Sequence, residues 1–288
     1  MCADRIWLNG YLLPPAQARI DPGDRGFLLG DGLFETMRAV GGRVPLLARH
    51  LSRLETGCQL LGLPPPRTDV IEGAIAGILT AVGYPNAAVR LTLTRGPGPR
   101  GLAPSLDPTP TTLIAAFALP PSAQPVRAIV AGSTRRNERS PLSRAKVLGY
   151  LDSVLALREA HDRGADDALL LNTRDRLACA AASNLWVVRG GRLLTPPPNE
   201  GALPGITRAL LLEIAPSLGL EAAEALLGPS DLAAAEEVFT TSSLRLVTPL
   251  ASIDGRPVPG GAPGPLTKRV ALTLREAAAL EAPGRKGY

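Results

Sequence analysis

The sequence predicts an α+β protein with two sheets, on three observations. Strand-like and helix-like segments mix along the 288 residues without the strict alternation of a doubly wound sheet. Hydrophobic residues make up 45% of the chain and charged ones 20%, enough apolar material for a sizeable core. The length favours two modest domains over one or three. The stretch "LPPSAQP", 119–125, then reads as a linker between an N-terminal α/β domain at 1–118 and a C-terminal domain at 126–288.

In chain order, "RIWLNGYLL" is strand-like and "DPGDRGFLLGDGLFETMRAV", dense in Gly and Asp, reads as a loop. Leu51, Leu54, Cys58 and Leu61 recur at helical spacing, with Gly62 and Pro64 as stop signals, so this stretch is an amphipathic helix with Cys58 on its core face. "AAVRLTLTRG" alternates and "TTLIAAFALP" is a continuous apolar run; both suit strands. After the linker, "VRAIVAGS" is a strand and "YLDSVLALREAHDRG" a helix ended by Gly164. "DDALLLN" and "LACAAASNLWVV" are strands joined by a polar turn, and "WVVRGGRLLTP" is a hairpin turning at Gly190 and Gly191. "LPGITRALLLEIAPSLGL" starts a helix behind a glycine, and "EEVFTTSSLRLVTPL" is a strand breaking into a hydroxyl-rich loop. "RVALTLREAAALEA" is helix-like, and no internal repeat is present.

Several functional classes are disfavoured by composition. No apolar run approaches the roughly 20 residues of a membrane span, and "MCADRIWLNG" lacks the apolar stretch of a secretory signal, so a cytoplasmic location away from membranes is expected. Cys2, Cys58 and Cys179 with His50 and His161 form no CxxC or HxxxH spacing, which supports neither a disulfide framework nor a metal site. The net charge of +5 is spread singly among acids and only 3% of residues are aromatic, a poor basis for binding nucleic acid.

Of the 31 basic residues, 28 are arginine and three are lysine: Lys146, Lys268 and Lys286. Lys146 lies mid-chain in "SPLSRAKVLGYLD", where the sequence otherwise writes arginine. Only an amine can deprotonate and form a Schiff base, which marks Lys146 as a candidate nucleophile. Phosphate cradles are suggested at "PGITRALLL", where the amides of Ile206 and Thr207 would stand free at a helix start, and at "FTTSSLR", with Ser242 and Ser243. Arg53 lies off the apolar face of its helix and could add a positive charge. "RGPGPRG", 95–101, fails as a dinucleotide fingerprint because Pro97 and Pro99 remove amide donors, but it could present Arg95 and Arg100 to a substrate carboxylate. A lysine with phosphate-binding elements suits an aldehyde cofactor carrying a phosphate, and pyridoxal phosphate meets that demand.

The blocks "RGFLLGDGLFETMR", "RHLSRL", "SPLSRAKVLGYLDSVLALREA", "GADDALLLN", "ASNLW", "LLTPP", "LPGITR" and "FTTSSLRLVTPL" follow one another as in the class IV, fold-type IV pyridoxal phosphate enzymes. The chain resembles these branched-chain and D-amino acid aminotransferases and aminodeoxychorismate lyases over nearly its whole length. The resemblance implies a two-domain homodimer with its active site at the domain junction, acting on small amino acid and 2-oxo acid substrates. It implies that Lys146 carries the cofactor as a Schiff base and shuttles the substrate Cα proton. Tyr150 would bond the cofactor's phenolic oxygen and Arg53 its phosphate, helped by Ile206, Thr207, Ser242 and Ser243, while Leu203 packs on the ring. Arg100, Glu35 and Leu29 fall at positions expected to meet substrate.

The chain departs from the family at Cys179, where a glutamate facing the pyridine nitrogen is expected five residues before Asn184. A carboxylate ionises near ~4 and a thiol near ~8.5, so a neutral thiol is a poor counter-ion for a protonated ring. Three readings stay open: a thiolate and pyridinium pair, a neutral ring with slower or different chemistry, or cofactor binding without turnover. Arg100 and its loop look like the lyase and some D-amino acid enzymes, Glu35 and Thr36 like the aminotransferases, and Leu29 replaces a tyrosine common in branched-chain members. Gly149 replaces a common asparagine. The leading expectation is an aminotransferase of branched-chain or D-amino acids. Aminodeoxychorismate lyase, releasing pyruvate and 4-aminobenzoate, is the alternative, and a non-catalytic cofactor-binding dimer the third.

Overall fold

The computed structural model describes residues 5–121 and 124–280. Cys2, Lys286 and part of the expected linker lie outside them. The described residues form two units, one holding 5–120, 145–149 and 279–280, the other 121, 124–144 and 150–278. The division at Pro120 and Pro121 falls in the stretch read as a linker. Lys146, however, does not group with the C-terminal domain in which it was expected. Its segment, residues 145–149, joins the first unit because its backbone bonds to a strand there: the Phe34 N–H donates to the Lys146 carbonyl at 2.9 Å and the Leu148 N–H to the Gly32 carbonyl at 3.0 Å.

The first unit contains β1 (Ile6–Leu8), β2 (Tyr11–Leu13), α1 (Arg25–Leu29), β3 (Gly32–Val40), α2 (Leu47–Leu61), α3 (Thr68–Val82), β4 (Asn86–Thr94) and β5 (Thr111–Ala118). Its sheet runs β2-β1-β5-β4-β3, every neighbouring pair antiparallel. "RIWLNGYLL", expected as one strand, is a hairpin: Asn9 and Gly10 both take positive φ, as a tight two-residue turn requires. The stretch expected as a loop at 21–40 contains α1 and the nine-residue β3. Leu33, Met37 and Ala39 alternate toward the core, but Glu35 occupies the same inward face and obscures the period. Leu54 and Cys58 of α2 and Ile71, Ile75 and Ile78 of α3 close that core against Leu91, Leu93 and Ile114. Cys58 is fully buried, as its spacing predicts, and burial pushes its thiol up to about 11.

The second unit contains β6 (Val126–Val130), α4 (Leu151–Asp162), β7 (Asp167–Leu171), β8 (Leu177–Ala180), β9 (Asn184–Arg189), β10 (Arg192–Thr195), α5 (Ile206–Ile214), β11 (Ala222–Glu224), α6 (Pro229–Ala233), β12 (Glu237–Ser242), β13 (Leu246–Ile253), β14 (Arg256–Pro257) and most of α7 (Pro265–Leu280). The sheet order is β11-β10-β9-β12-β13-β6-β7-β8, with β14 beside β13. The pairs β6–β7, β6–β13 and β10–β11 are parallel and the rest antiparallel, so this is a mixed sheet. "LACAAASNLW" is two strands rather than one: the Ala180 N–H donates to the Ser183 carbonyl at 2.9 Å, closing a turn between β8 and β9. With two mixed assemblies of helix and sheet, the architecture is the α+β fold the sequence predicts.

Candidate functional site

In the first unit, the polar groups gather at β3. The Leu33–Val147 bridge and the two backbone bonds at Gly32 and Phe34 lay the 145–149 segment along this strand. They place the Lys146 Nζ 4.3 Å from the centroid of the Phe34 ring. Arg90, projecting from β4, sets its guanidinium carbon 3.9 Å from the same centroid. Desolvation, with Arg53 and Arg90 as neighbouring positive charges, pushes the Lys146 ammonium down to about 8, against the opposing pull of Glu35. Near neutral pH a larger share of such an amine is neutral than of an ordinary lysine.

Glu35 is expected at the substrate, but the structure gives its carboxylate another use. It is 1% exposed, and its Oε2 lies 2.7 Å from His50 Nδ1. Arg53 donates from Nε to Oε1 at 2.8 Å and from Nη2 to Oε2 at 2.6 Å. Burial pushes the carboxyl up, but the bonds from His50 and Arg53 outweigh it and hold Glu35 at about 2. Glu35 is therefore an internal counter-charge, with no surface left for a substrate.

The arginine loop also differs from expectation. Arg95 is buried: it donates to Asp31 from Nε at 2.8 Å and to the carbonyls of Gly62 and Leu61, which removes it from any carboxylate clamp. Arg100 is exposed on the loop beyond it. That loop is held from beneath by Arg25, which donates to the carbonyls of Gly101 at 3.0 Å and Leu102 at 2.8 Å and pairs with Asp31. Leu29 ends α1 half exposed, just before Gly30 turns left-handed at φ 68°.

In the second unit, α5 begins at Ile206 behind Gly205, whose carbonyl first accepts from the Ala209 N–H at 2.9 Å. The earlier amides of the first turn, Ile206 and Thr207 among them, have no place in the helical ladder. Asn184 holds the approach to this helix, donating from Nδ2 to the Leu203 carbonyl at 2.8 Å. A Cβ on Gly205 would fall 1.9 Å from Asn184 Oδ1, so only glycine allows this close passage. Asn184 pairs in register with Thr241, whose Oγ1 accepts from Trp186 Nε1 at 3.0 Å, and Ser242 and Ser243 follow at the strand end. The β9–β12 pairing thus fixes the hydroxyl loop and the start of α5 in one frame.

Tyr150 caps α4 at its amino end. Cys179 pairs with Leu170 across β7 and β8 and is half-buried, packed against the apolar cluster that holds Ala168, Leu170 and Ala181. Burial pushes its thiol up, and Asp167 adds to that, while Arg136 opposes it. Arg136 itself is fixed by the carbonyls of Gly201 and Ser143, each 3.3 Å away. Within each unit, then, expected groups fall into sets: Lys146 with Arg53 in the first, and Leu203, Ile206, Thr207 and Ser242, framed by Asn184, in the second. Sequence reasoning missed Phe34, Arg90, His50 and Arg136. Arg90 had left a signal, as the one charge inside the alternating "AAVRLTLT".

Two outcomes follow from this geometry. Acylation of Lys146 by a small amine-reactive reagent, read by mass spectrometry, should rise through about pH 8 rather than near ~10.4, the position of an ordinary lysine. Gly205→Ala should lower stability by about 2 kcal/mol, the cost of forcing a methyl into a closed contact, and thermal melting checks the effect.

Comparisons with known proteins bear on the family and the fold. The Amino-transferase class IV family matches residues 32–253. The branched-chain-amino-acid aminotransferase of Salmonella typhimurium is 30% identical over 280 residues, covering 93% of this chain and 91% of its own. The crystal structure of the Escherichia coli branched-chain amino acid aminotransferase superposes with a TM-score of 0.91 at 28% identity, covering 100% of this chain and 98% of its own. The corresponding T.th. enzyme, complexed with N-(5'-phosphopyridoxyl)-L-glutamate, gives 0.89 at 29% identity, over 99% and 97%. With a family match over most of its length, and with the fold and the lysine segment just described, the chain belongs to the class IV aminotransferases.

Proposed function

We propose that the chain is a pyridoxal phosphate-dependent aminotransferase exchanging an amino group between a branched-chain L-amino acid and a 2-oxo acid. The observation that carries this is the Lys146 amine, pushed down to about 8 over Phe34 in a member of this family. The similar proteins are branched-chain aminotransferases, and one was solved with an L-amino acid adduct of the phosphopyridoxyl group. These relatives favour the aminotransferase over the lyase and over the non-catalytic dimer.

The donor set fits the cofactor: an amine of lowered basicity suits an aldehyde, and free first-turn amides, hydroxyls and a guanidinium suit a phosphate. When bound, pyridoxal phosphate supplies the aldehyde and a ring that withdraws electrons from the substrate Cα. In this reading the Lys146 amine would take the substrate Cα proton and deliver it to the carbon that carries the cofactor's aldehyde. Arg53, Ile206, Thr207, Ser242 and Ser243 would hold the phosphate, Tyr150 would bond the phenolic oxygen, and Leu203 would pack on the ring. Arg90 is a better partner than Arg100 for the substrate carboxylate, because it is half-buried on the ring that also carries Lys146. Leu29 is left to meet the substrate's apolar side chain.

Cys179 takes the place beside the ring nitrogen as a neutral thiol, since burial pushes its ionisation up. A neutral partner leaves the ring less protonated and proton removal from Cα slower than a carboxylate would. We extend the proposal to a cytoplasmic homodimer, with Phe27 and Leu28, both well exposed on α1, covered by the second copy. No described helix is long and apolar enough to cross a membrane.

The purified protein should show an absorbance band near ~400 nm that borohydride abolishes and Lys146→Ala lacks. L-Leucine, L-isoleucine and L-valine should bleach this band, whereas D-amino acids should not; release of 4-aminobenzoate from aminodeoxychorismate instead would overturn the reading. Cys179→Glu should speed the half-reaction with amino acid by tenfold or more and shift the band, and an unchanged rate and spectrum would remove Cys179 from the ring-nitrogen position.

A further inference from the structure

His50 is a buried titratable group that no step above uses. It stands on α2 three residues before Arg53, so both side chains leave the same face of the helix, toward β3. Glu35 meets them there. His50 is 2% exposed, and its Nδ1 lies 2.7 Å from the Glu35 Oε2 that also accepts from Arg53 Nη2 at 2.6 Å. Because Glu35 stays anionic at any ordinary pH, the shared proton of this contact belongs to His50 Nδ1, which donates.

We propose that His50 is a positioning residue for Arg53: it fixes the Glu35 carboxylate in the one orientation that receives the Arg53 fork and so aims the guanidinium at the cofactor phosphate. The inference rests on the proposed role of Arg53. A carboxylate on a glutamate side chain can rotate about its last two torsions, and the Arg53 fork alone would turn with it. A second donor arriving from another direction removes that freedom. Buried at 1%, Glu35 has no water to replace a lost partner, so the loss of His50 is felt at Arg53.

The chemistry of amide substitutes provides the test. The side-chain amide of asparagine can put its nitrogen where Nδ1 stands, whereas glutamine puts it near Nε2. His50→Asn should therefore keep the affinity for pyridoxal phosphate within about threefold of the parent, and His50→Gln should weaken it by tenfold or more. The decisive readout is pyridoxal, which lacks the phosphate. His50→Gln should bind pyridoxal as the parent does, because a residue acting through Arg53 affects only the phosphate contact. Equal loss for both ligands would make His50 a structural residue, and no loss for either would make it a bystander; each overturns the proposal. If His50→Gln does not fold by circular dichroism, Glu35→Gln must show the same selective loss for pyridoxal phosphate, and equal affinity for it there overturns the proposal as well. Failure of the functional reading is recognised separately: the parent would then give no borohydride-sensitive band, or Lys146→Ala would retain it.

Discussion

The arrangement of the lysine depends on two backbone hydrogen bonds. The Phe34 N–H to the Lys146 carbonyl and the Leu148 N–H to the Gly32 carbonyl turn five residues into an added rung on β3. An amine on a long flexible stem would ordinarily seek water and remain charged. Anchoring its backbone to a strand whose outer residue is Phe34 instead holds the amine over an aromatic face. The close approach also explains Gly32: a Cβ there would fall 2.4 Å from the Leu93 carbonyl oxygen and 2.9 Å from Leu148 Cδ1. The strand must be bare at this point for the rung to lie against it.

Around that rung the charges are arranged unequally. Lys146, Arg53 and Arg90 are cations, and Glu35 is the one anion among the groups that act on Lys146. The excess positive charge favours loss of the lysine proton, and in the proposed function the same distribution suits an anionic phosphate or carboxylate. Glu35 moderates the excess. Its pairing with Arg53 and His50 spares it the cost of being buried alone. The sign of its contribution to stability follows from its depressed ionisation: it is present above the ordinary glutamate range, ~4.3, and lost as pH falls toward about 2.

Much of this was legible in the sequence, and the exceptions have physical causes. The helix of α2 was visible because Leu54 and Cys58 repeat at the period of a buried face, and both lie in the core. The strand β3 was not, because a buried, paired anion, Glu35, occupies one of its inward positions and breaks the apolar alternation that marks a strand. Lys146 stood out through the near absence of other lysines, yet the unit it joins could not be read, since two backbone hydrogen bonds to β3 leave no trace in side-chain pattern. Arg95 and Arg100 looked equivalent in "RGPGPRG". Only the fold separates them, because Asp31 and the carbonyls ending α2 consume the first and leave the second exposed.

The thiol at Cys179 is best understood through what surrounds it. Its strand pairs with β7, so its side chain shares a face with Leu170 and lies among alanines, a setting that favours an uncharged group. The nearest influences divide: Arg136 favours the thiolate and Asp167 opposes it, while burial, the largest, also opposes it. A glutamate at this point would be stabilised by Arg136, whose guanidinium is already held in place by the carbonyls of Gly201 and Ser143. The scaffold therefore still holds a cation able to support a carboxylate, although the chain supplies a thiol. In the aminotransferase reading, the electron demand on the ring is lowered by one substituted side chain, with the lysine, the phosphate cradle and the supporting arginine left in place.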